Sequence, residues 1–351
     1  MRAAWASVVM AAAAAFAGAC GTGDSSPAPT ASVATPQPAT ATGAVPTETA
    51  TTVPSPSVTP PPAASVPLPA APFDDATGPV AMLVSYYDAV NRHDFARAYA
   101  YLRNPAVGEP AFAAGYAGTV LAVPILRPAS GIDAAAGNRR MVVAAVIEAV
   151  TVNGTRQRFA GCYSTWRAAE GVSADPADER WHIEEATIAP VAAADSVPAL
   201  LDHGCDGYRD RVANFGAPFA DRTSPVAAAT AFFDAIRRGD FDRASSYILE
   251  GKRQPLDQMR ADWADTAKLT PVVGPVIAME GAAGTVHARV LAVFVDREGV
   301  PRRSMCIQLQ RSNLPAAPGA DPRDNPWFLG STDTGPAAAE EIGRALALAC
   351  H

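Results

Sequence analysis

Apolar residues recur at helical spacing in two stretches of the chain, and the second stretch is a copy of the first. Residues 79–99 read PVAMLVSYYDAVNRHDFARAY, and residues 225–245 read PVAAATAFFDAIRRGDFDRAS. In each copy an apolar residue returns every three or four positions, which predicts a helix with one buried stripe. In each copy a proline at the first helical position predicts the start of one helix. An Asp-Phe pair near the end of the copy predicts the start of a second, with the aspartate as its N-cap. A repeat at 146 residues therefore predicts two similar units.

Each copy carries an aspartate, Asp88 or Asp234, with an arginine four residues later. On a helical wheel both aspartates fall outside the apolar stripe. This spacing predicts an exposed ion pair on the helix surface rather than a catalytic carboxylate.

Strand-like apolar runs follow each helical copy and predict antiparallel sheets. In the first unit the pattern predicts a third helix at 112–120, strands at 121–126, 141–152, 155–166 and 181–188, and a short helix at 198–203. In the second unit it predicts a helix at 258–267, strands at 271–279, 285–296, 302–311 and 327–329, and a closing helix at 336–349. Asn153-Gly154 is a strong hairpin signal between the two longest strands.

The first 72 residues differ from the rest. Residues 1–19 predict a signal peptide, with Arg2 before an apolar run and Ala17-Gly18-Ala19 before Cys20. This ending resembles the lipobox of bacterial lipoproteins, in which Cys20 would carry the fatty acids, such as palmitate, of a diacylglyceryl group; Ala17 stands where leucine is usual. An ordinary secreted protein cleaved near Ala19 is the alternative. Residues 20–72 are mostly Thr, Pro, Ala and Ser, which predicts a disordered tether.

The cysteine count agrees with export. Five cysteines are present, and assigning Cys20 to the lipid leaves four, two in each unit. Three disulfide pairings are formally possible. Pairing Cys162 with Cys205 and Cys306 with Cys350 keeps both units self-contained, and each loop of roughly 44 residues contributes about 4 kcal/mol in the chain-entropy model.

The order of elements resembles the nuclear transport factor 2-like superfamily of cone-shaped α+β domains. The residues that carry the resemblance are Tyr86-Tyr87-Asp88-Ala89 with residues 94–98, and Phe232-Phe233-Asp234-Ala235 with residues 240–244. The resemblance implies two tandem domains, at 73–205 and 224–351, joined by a connector at 206–223. It also implies a curled antiparallel sheet wrapped against the first helix, with a pocket between them.

The family includes isomerases, dehydratases and hydrolases as well as non-catalytic binding domains, so fold alone does not assign an activity. An enzyme would need titratable groups aimed into the cone. His182 with Glu184, and His287 with Arg289, share strand faces and are candidates, although a polar outer face of a half-solvated strand explains them equally. The histidines lie singly and no Cys-x-x-Cys is present, so no metal site is predicted. The sequence contains neither a P-loop nor a dinucleotide-binding fingerprint, and no cofactor is predicted.

Aromatic residues are the other pocket candidates. Large rings stand where the family's cone is lined: Tyr86, Tyr116, Trp181, Phe232, Trp263 and Trp327. They suit a small apolar ligand or a side chain of a partner protein, and core packing is the alternative. The net charge of −7 and the pI near 5.3 exclude an electrostatic surface for nucleic acid.

The sequence therefore predicts a lipoprotein anchored outside the cytoplasm to the bacterial cell membrane, and it favours a non-catalytic binding or accessory module that meets a small apolar ligand or an envelope protein. An enzyme of the same fold acting on a small apolar substrate and a structural spacer for an envelope complex are the alternatives.

Overall fold

The computed structural model describes residues 71–132, 137–211, 216–282, 284–339 and 341–350. The predicted signal peptide, Cys20 and nearly all of the predicted tether lie outside these ranges. In the part of the chain that the structure describes, no helix combines the length and the apolar character that a membrane crossing requires.

In each described half, three α-helices precede the strands and one follows them. The α-helices are α1 (Pro79–Asn91), α2 (Phe95–Ala100), α3 (Glu109–Tyr116), α4 (Val197–His203), α5 (Pro225–Arg237), α6 (Phe241–Ser246), α7 (Leu256–Trp263) and α8 (Ile342–Leu348). Helices α1 and α5 begin with proline, as the pattern predicts, and Ser224 Oγ accepts a hydrogen bond from the Ala227 amide at the start of α5. The carboxylates of Asp94 and Asp240 accept hydrogen bonds from the third amide of α2 and α6, so both predicted N-caps are confirmed.

Two antiparallel sheets carry the rest of the fold. The strands are β1 (Thr119–Leu126), β2 (Ser130–Ile132), β3 (Asn138–Thr151), β4 (Arg156–Ala168), β5 (His182–Ala186), β6 (Ala189–Val191), β7 (Thr270–Ala282), β8 (Thr285–Val295), β9 (Pro301–Ser312) and β10 (Phe328–Pro336). The first sheet has the order β1-β3-β4-β5, with β2 beside β3 and β6 beside β4; the second has the order β10-β9-β8-β7. Strands β3 and β4 form the hairpin predicted at Asn153-Gly154, and Gly154 has a φ of 78°. The chain is thus an α+β protein.

Element boundaries differ from the predicted ones at several places, three of which have a clear physical cause. Helix α3 ends at Tyr116 because the chain already enters β1 at Thr119. The predicted strand at 181–188 ends at Ala186 as β5, and a separate short strand, β6, begins at Ala189. Between them the Thr187 carbonyl comes so near β4 that a Cβ on Gly161 would lie 1.9 Å from its oxygen. The closing helix begins at Ile342 rather than Pro336, since β10 continues to Pro336 against β9.

Each sheet has an inner and an outer face. The inner faces pack against α1 and α5, and the outer faces pack against α4 and α8. A disulfide links each outer helix to its sheet. Cys162 of β4 is bonded to Cys205 just after α4, and Cys306 of β9 is bonded to Cys350 just after α8. The predicted pairing is confirmed, and each bridge stays within its own half.

The two halves contribute residues to one buried apolar cluster. Leu121 and Val123 of β1 belong to the same buried apolar cluster as Leu291 of β8 and Ile342 of α8. Contact is so close that a Cβ on Gly343 would lie 2.4 Å from a Leu121 methyl carbon. The Arg158 guanidinium, which is 6% exposed, donates from Nη2 to the Glu298 carbonyl across this boundary. Helix α8 is therefore wedged between the halves.

The prediction that Asp88 and Asp234 form exposed ion pairs is wrong. The Asp88 side chain is 3% exposed and accepts hydrogen bonds from Arg92 Nε at 2.9 Å, Arg97 Nη2 at 2.8 Å and the Phe73 amide at 3.0 Å. A helical wheel represents only the helix, whereas here the chain before α1 and the arginine of α2 fold over its polar side. The burial comes from these neighbours.

The second copy repeats this arrangement atom for atom. The fully buried Asp234 carboxylate accepts hydrogen bonds from Arg238 Nε at 2.8 Å, Arg243 Nη2 at 3.0 Å and the Phe219 amide at 3.2 Å. In both copies the second arginine also donates to a carbonyl, that of Phe73 or Phe219. We call each set the aspartate clamp. It joins three consecutive segments of chain to one carboxylate.

We expect Asp88→Ala to lower the free energy of unfolding by about 3 kcal/mol, because it leaves two guanidinium groups and a buried amide without their shared acceptor. Asp265→Ala is the control, because its ion pair with Lys268 is about three-quarters exposed and its loss should leave the free energy of unfolding nearly unchanged. Urea unfolding measures both. Equal effects of the two substitutions would contradict the clamp's structural role.

Candidate functional site

Paired phenols fill the inner face of the first half. Tyr86 Oη lies 2.8 Å from Tyr116 Oη, and Tyr87 Oη lies 2.5 Å from Tyr163 Oη. Burial, together with the neighbouring phenols, raises the pKa of Tyr86 and Tyr87 well above the usual value, so these groups stay neutral. Phe112 lies between the rings of Tyr86 and Tyr116, with centroid distances of 6.4 Å and 5.2 Å. The rings contact each other where the family's pocket was expected.

Apolar rings fill the same place in the second half. Phe232 meets Trp263 edge-on at 5.1 Å, and Phe233 meets Phe294 edge-on at 4.9 Å. Of the other predicted pocket rings, Trp181 is 5% exposed and Trp327 is 2% exposed. The structure therefore places all six predicted aromatic residues in the core or against it, which is the alternative that the sequence left open.

His182 and Glu184 do not bond to each other. His182 Nε2 lies 2.8 Å from the Ala177 carbonyl oxygen, whereas Glu184 accepts from Arg103 Nη1 at 2.7 Å and from Arg140 Nε at 2.7 Å. The Arg103 guanidinium also lies 3.3 Å from the centroid of the Trp166 ring. These side chains form an ion-pair cluster on the edge of the sheet.

The charge state of Glu184 follows from this cluster. Partial burial raises the pKa of its carboxyl group, but the hydrogen bond and charge of Arg140, with those of Arg103, outweigh burial and hold the pKa below the usual value. A carboxylate held ionised by two arginines is a poor proton carrier at neutral pH. The cluster has the chemistry of a structural contact.

His287 lies in a different setting, on the outer face of the second sheet. There a groove of about 510 Å³ crosses all four strands. Its lining comprises Ala278, Glu280, His287, Ala288, Arg289, Cys306, Gln308, Ser331, Thr332, Asp333 and Cys350. We call this set the outer groove. Its volume is in the range of small-molecule and side-chain sites.

The outer groove combines charge with an apolar end. Arg289 Nη2 lies 3.6 Å from Glu280 Oε1, and Ser331 Oγ donates to Gln308 Oε1 at 3.0 Å. His287 Nδ1 is buried and has no hydrogen-bond partner among the described residues. The Cys306–Cys350 disulfide forms the apolar end. Sequence reasoning named His287 and Arg289 as sharing a face but missed Gln308, which strand alternation from Cys306 would have indicated. It also missed Ser331 and Asp333, which only the pairing of β10 with β9 places beside Gln308 and Cys306.

A second cavity lies between the halves and is much smaller. Its volume is about 60 Å³, it lies among residues of α1, β1, β7, β8 and α8, and its lining is largely apolar. That space suits a few waters rather than a ligand. Among the described residues, no cluster of three or more His, Cys, Asp or Glu side chains is arranged to hold a metal ion.

Comparisons with known proteins add little to this geometry. No protein-family model matches the sequence, and no curated protein matches it. Among solved structures, an "Ntf2 like protein involved in plasmid conjugation" is similar at 8% identity with a TM-score of 0.19, over 71% of this chain and 90% of that one. A likeness at this TM-score carries no conclusion about fold, ligand or activity.

We expect the stability contributed by Glu184 to depend on pH. Its folded pKa lies below the unfolded one, so the contribution is complete above the unfolded pKa and is lost as pH falls through the folded pKa. Glu184→Gln should cost about 1 kcal/mol at pH 7 and progressively less towards pH 3. Urea unfolding of both proteins across this range measures the difference, with the exposed Glu170→Gln as a control that shows little change. A difference that is constant with pH would refute the ion pair.

Proposed function

We propose that this protein is a non-catalytic accessory module outside the cytoplasm, anchored by lipid at Cys20 and built from two tandem nuclear transport factor 2-like domains. The observation that carries the proposal is the filling of both inner faces by rings. Catalysis or ligand capture in this family's cone needs an open pocket, whereas packed rings serve to hold a rigid shape.

The repeated contacts support the tandem arrangement. The aspartate clamp returns at 146 residues with the same donors and the same acceptor oxygens. Each half also has a helix pair, a third helix, an antiparallel sheet and one disulfide. A duplicated domain accounts for all of these features at once.

Two observations support a location outside the cytoplasm. Disulfides persist in oxidising compartments and are rare in reducing ones. Both bridges consume cysteines of the described region, which leaves Cys20, next to the predicted cleavage point, as the remaining thiol. The predicted tether of residues 20–72 then separates the folded region from the membrane surface.

The surface favours a protein partner over a small apolar ligand. The outer groove is lined by both charged and polar side chains. A purely structural spacer remains the second candidate, since the shared interior between the halves fixes their geometry. The titratable pair expected of an enzyme is replaced at Glu184 by an arginine-bound carboxylate.

We expect Cys20→Ser to release the full-length protein from the membrane, because the thiol that carries the lipid is lost. Detergent phase partitioning should move the protein from the detergent phase to the aqueous phase, and the mass of the N-terminal peptide should lose the diacylglyceryl group. Ser26→Ala in the same segment is the control and should stay in the detergent phase. Equal partitioning of the wild type and Cys20→Ser would contradict the anchor.

We expect the full-length protein, extracted gently from its membrane, to retain a companion protein chain in native mass spectrometry. The Cys20→Ser protein, exposed to the same extract, should retain the same companion, because the folded region and not the lipid makes the contact. Retention of a small apolar molecule in place of a protein would refute the proposed role. A companion lost together with the lipid would assign the contact to the anchor.

A further inference from the structure

On the outer face of the first half, Tyr208 covers the position that corresponds to the outer groove of the second half. After Cys205 the chain makes a 3-10 turn, Asp206–Arg211, that lays Tyr208 on the sheet. Tyr208 is 9% exposed and packs with Val142, Ala144 and the Cys162–Cys205 bridge. Its hydroxyl donates to Glu185 Oε2 at 3.1 Å. A tyrosine thus covers this part of the first sheet.

Strand pairing establishes the correspondence between the two places. Two residues after the bridged Cys162, Ser164 pairs with Val142 on one side and Glu185 on the other. Two residues after the bridged Cys306, Gln308 pairs with Arg289 on one side and Ser331 on the other. The positions under Tyr208 in the first half are therefore the positions that line the outer groove in the second.

No described residue covers the outer groove as Tyr208 covers the first sheet, and the groove volume is about 510 Å³. Its chemistry still suits a phenol. Sulfur at the Cys306–Cys350 bridge makes favourable contacts with aromatic rings. The Arg289 guanidinium replaces Val142 and can lie over a ring face. Gln308, Ser331 and Asp333 supply oxygen acceptors where Glu185 accepts the Tyr208 hydroxyl.

We propose that the outer groove binds a tyrosine-bearing turn of a partner protein, whose ring occupies the position that Tyr208 occupies in the first half. This inference rests on the accessory role proposed above and names the site and the partner's chemistry. In the first copy of the duplicated unit this position is filled by Tyr208 of the same chain. In the second copy it is filled by a tyrosine of the partner protein. The His287 imidazole is part of the lining of this site.

The probe is a capped hexapeptide with the sequence of Asp206–Arg211, Asp-Gly-Tyr-Arg-Asp-Arg, titrated against the full-length protein. NMR shifts should appear at the His287 ring and at Arg289 and Ser331. Replacing the tyrosine of the peptide by alanine should weaken binding about tenfold or more, since the ring supplies most of the buried contact. Equal binding of the two peptides, or no shifts in the groove, would overturn the proposal.

A blocking variant provides the second test. Ala278→Trp places an indole in the groove and should weaken peptide binding about tenfold or more, whereas Met279→Trp, at the adjacent exposed residue outside the groove, should leave it unchanged. Thermal unfolding checks that both variants fold. If Ala278→Trp does not fold, Ser331→Trp obstructs the same groove from an exposed position.

Retention of the companion chain by these variants in native mass spectrometry distinguishes the groove proposal from the accessory role. Loss of the companion from Ala278→Trp but not from Met279→Trp supports the groove. Retention by all variants overturns the groove and leaves the accessory role standing. If no wild-type protein retains a companion, the accessory role fails and the peptide titration alone decides the groove. A change of oligomeric state in Ala278→Trp would identify the occupant as a second copy of this chain and overturn the proposal.

Discussion

The fold depends on a buried carboxylate that is used twice. Asp88 and Asp234 each hold the chain before the long helix, the helix itself and the short helix after it, through one amide and two guanidinium groups. Because a buried charge without partners costs several kcal/mol, all three segments must be in place for any of them to be stable. The helical layer that closes each inner face is thereby fixed as one unit.

That fixed layer explains why the inner faces are filled and the outer faces vary. Rings from α1 and α5 reach across to the sheet and contact one another, with phenol pairs in the first half and phenylalanine and tryptophan in the second. Each of these phenols has another phenol as its hydrogen-bond partner, and the corresponding rings of the second half carry no hydroxyl group. The difference between the halves that bears on function lies outside, where Tyr208 covers one sheet and the outer groove marks the other.

Periodicity and repetition predicted the α+β class, the paired helices, the antiparallel sheets and the disulfide pairing, because these depend on local pattern and on matching positions. They did not predict the burial of Asp88, which is produced by Phe73 and Arg97 at a distance along the chain. Nor could they decide between pocket and core for Tyr86 or Trp263, since the same apolar ring suits both. The outer groove was not predicted, because its lining is known only when the register of β8, β9 and β10 is known together.

The first aspartate clamp also has a mechanical consequence. Arg92 Nη2 donates to the carbonyl of Ala71, and Arg97 Nη1 donates to that of Phe73. Both arginines therefore hydrogen-bond to the chain just before the first helix. Any tension on the upstream chain arrives at these bonds first. The load reaches the bond at Ala71 before the two bonds at Phe73, and all of these lie ahead of the first helix along the chain.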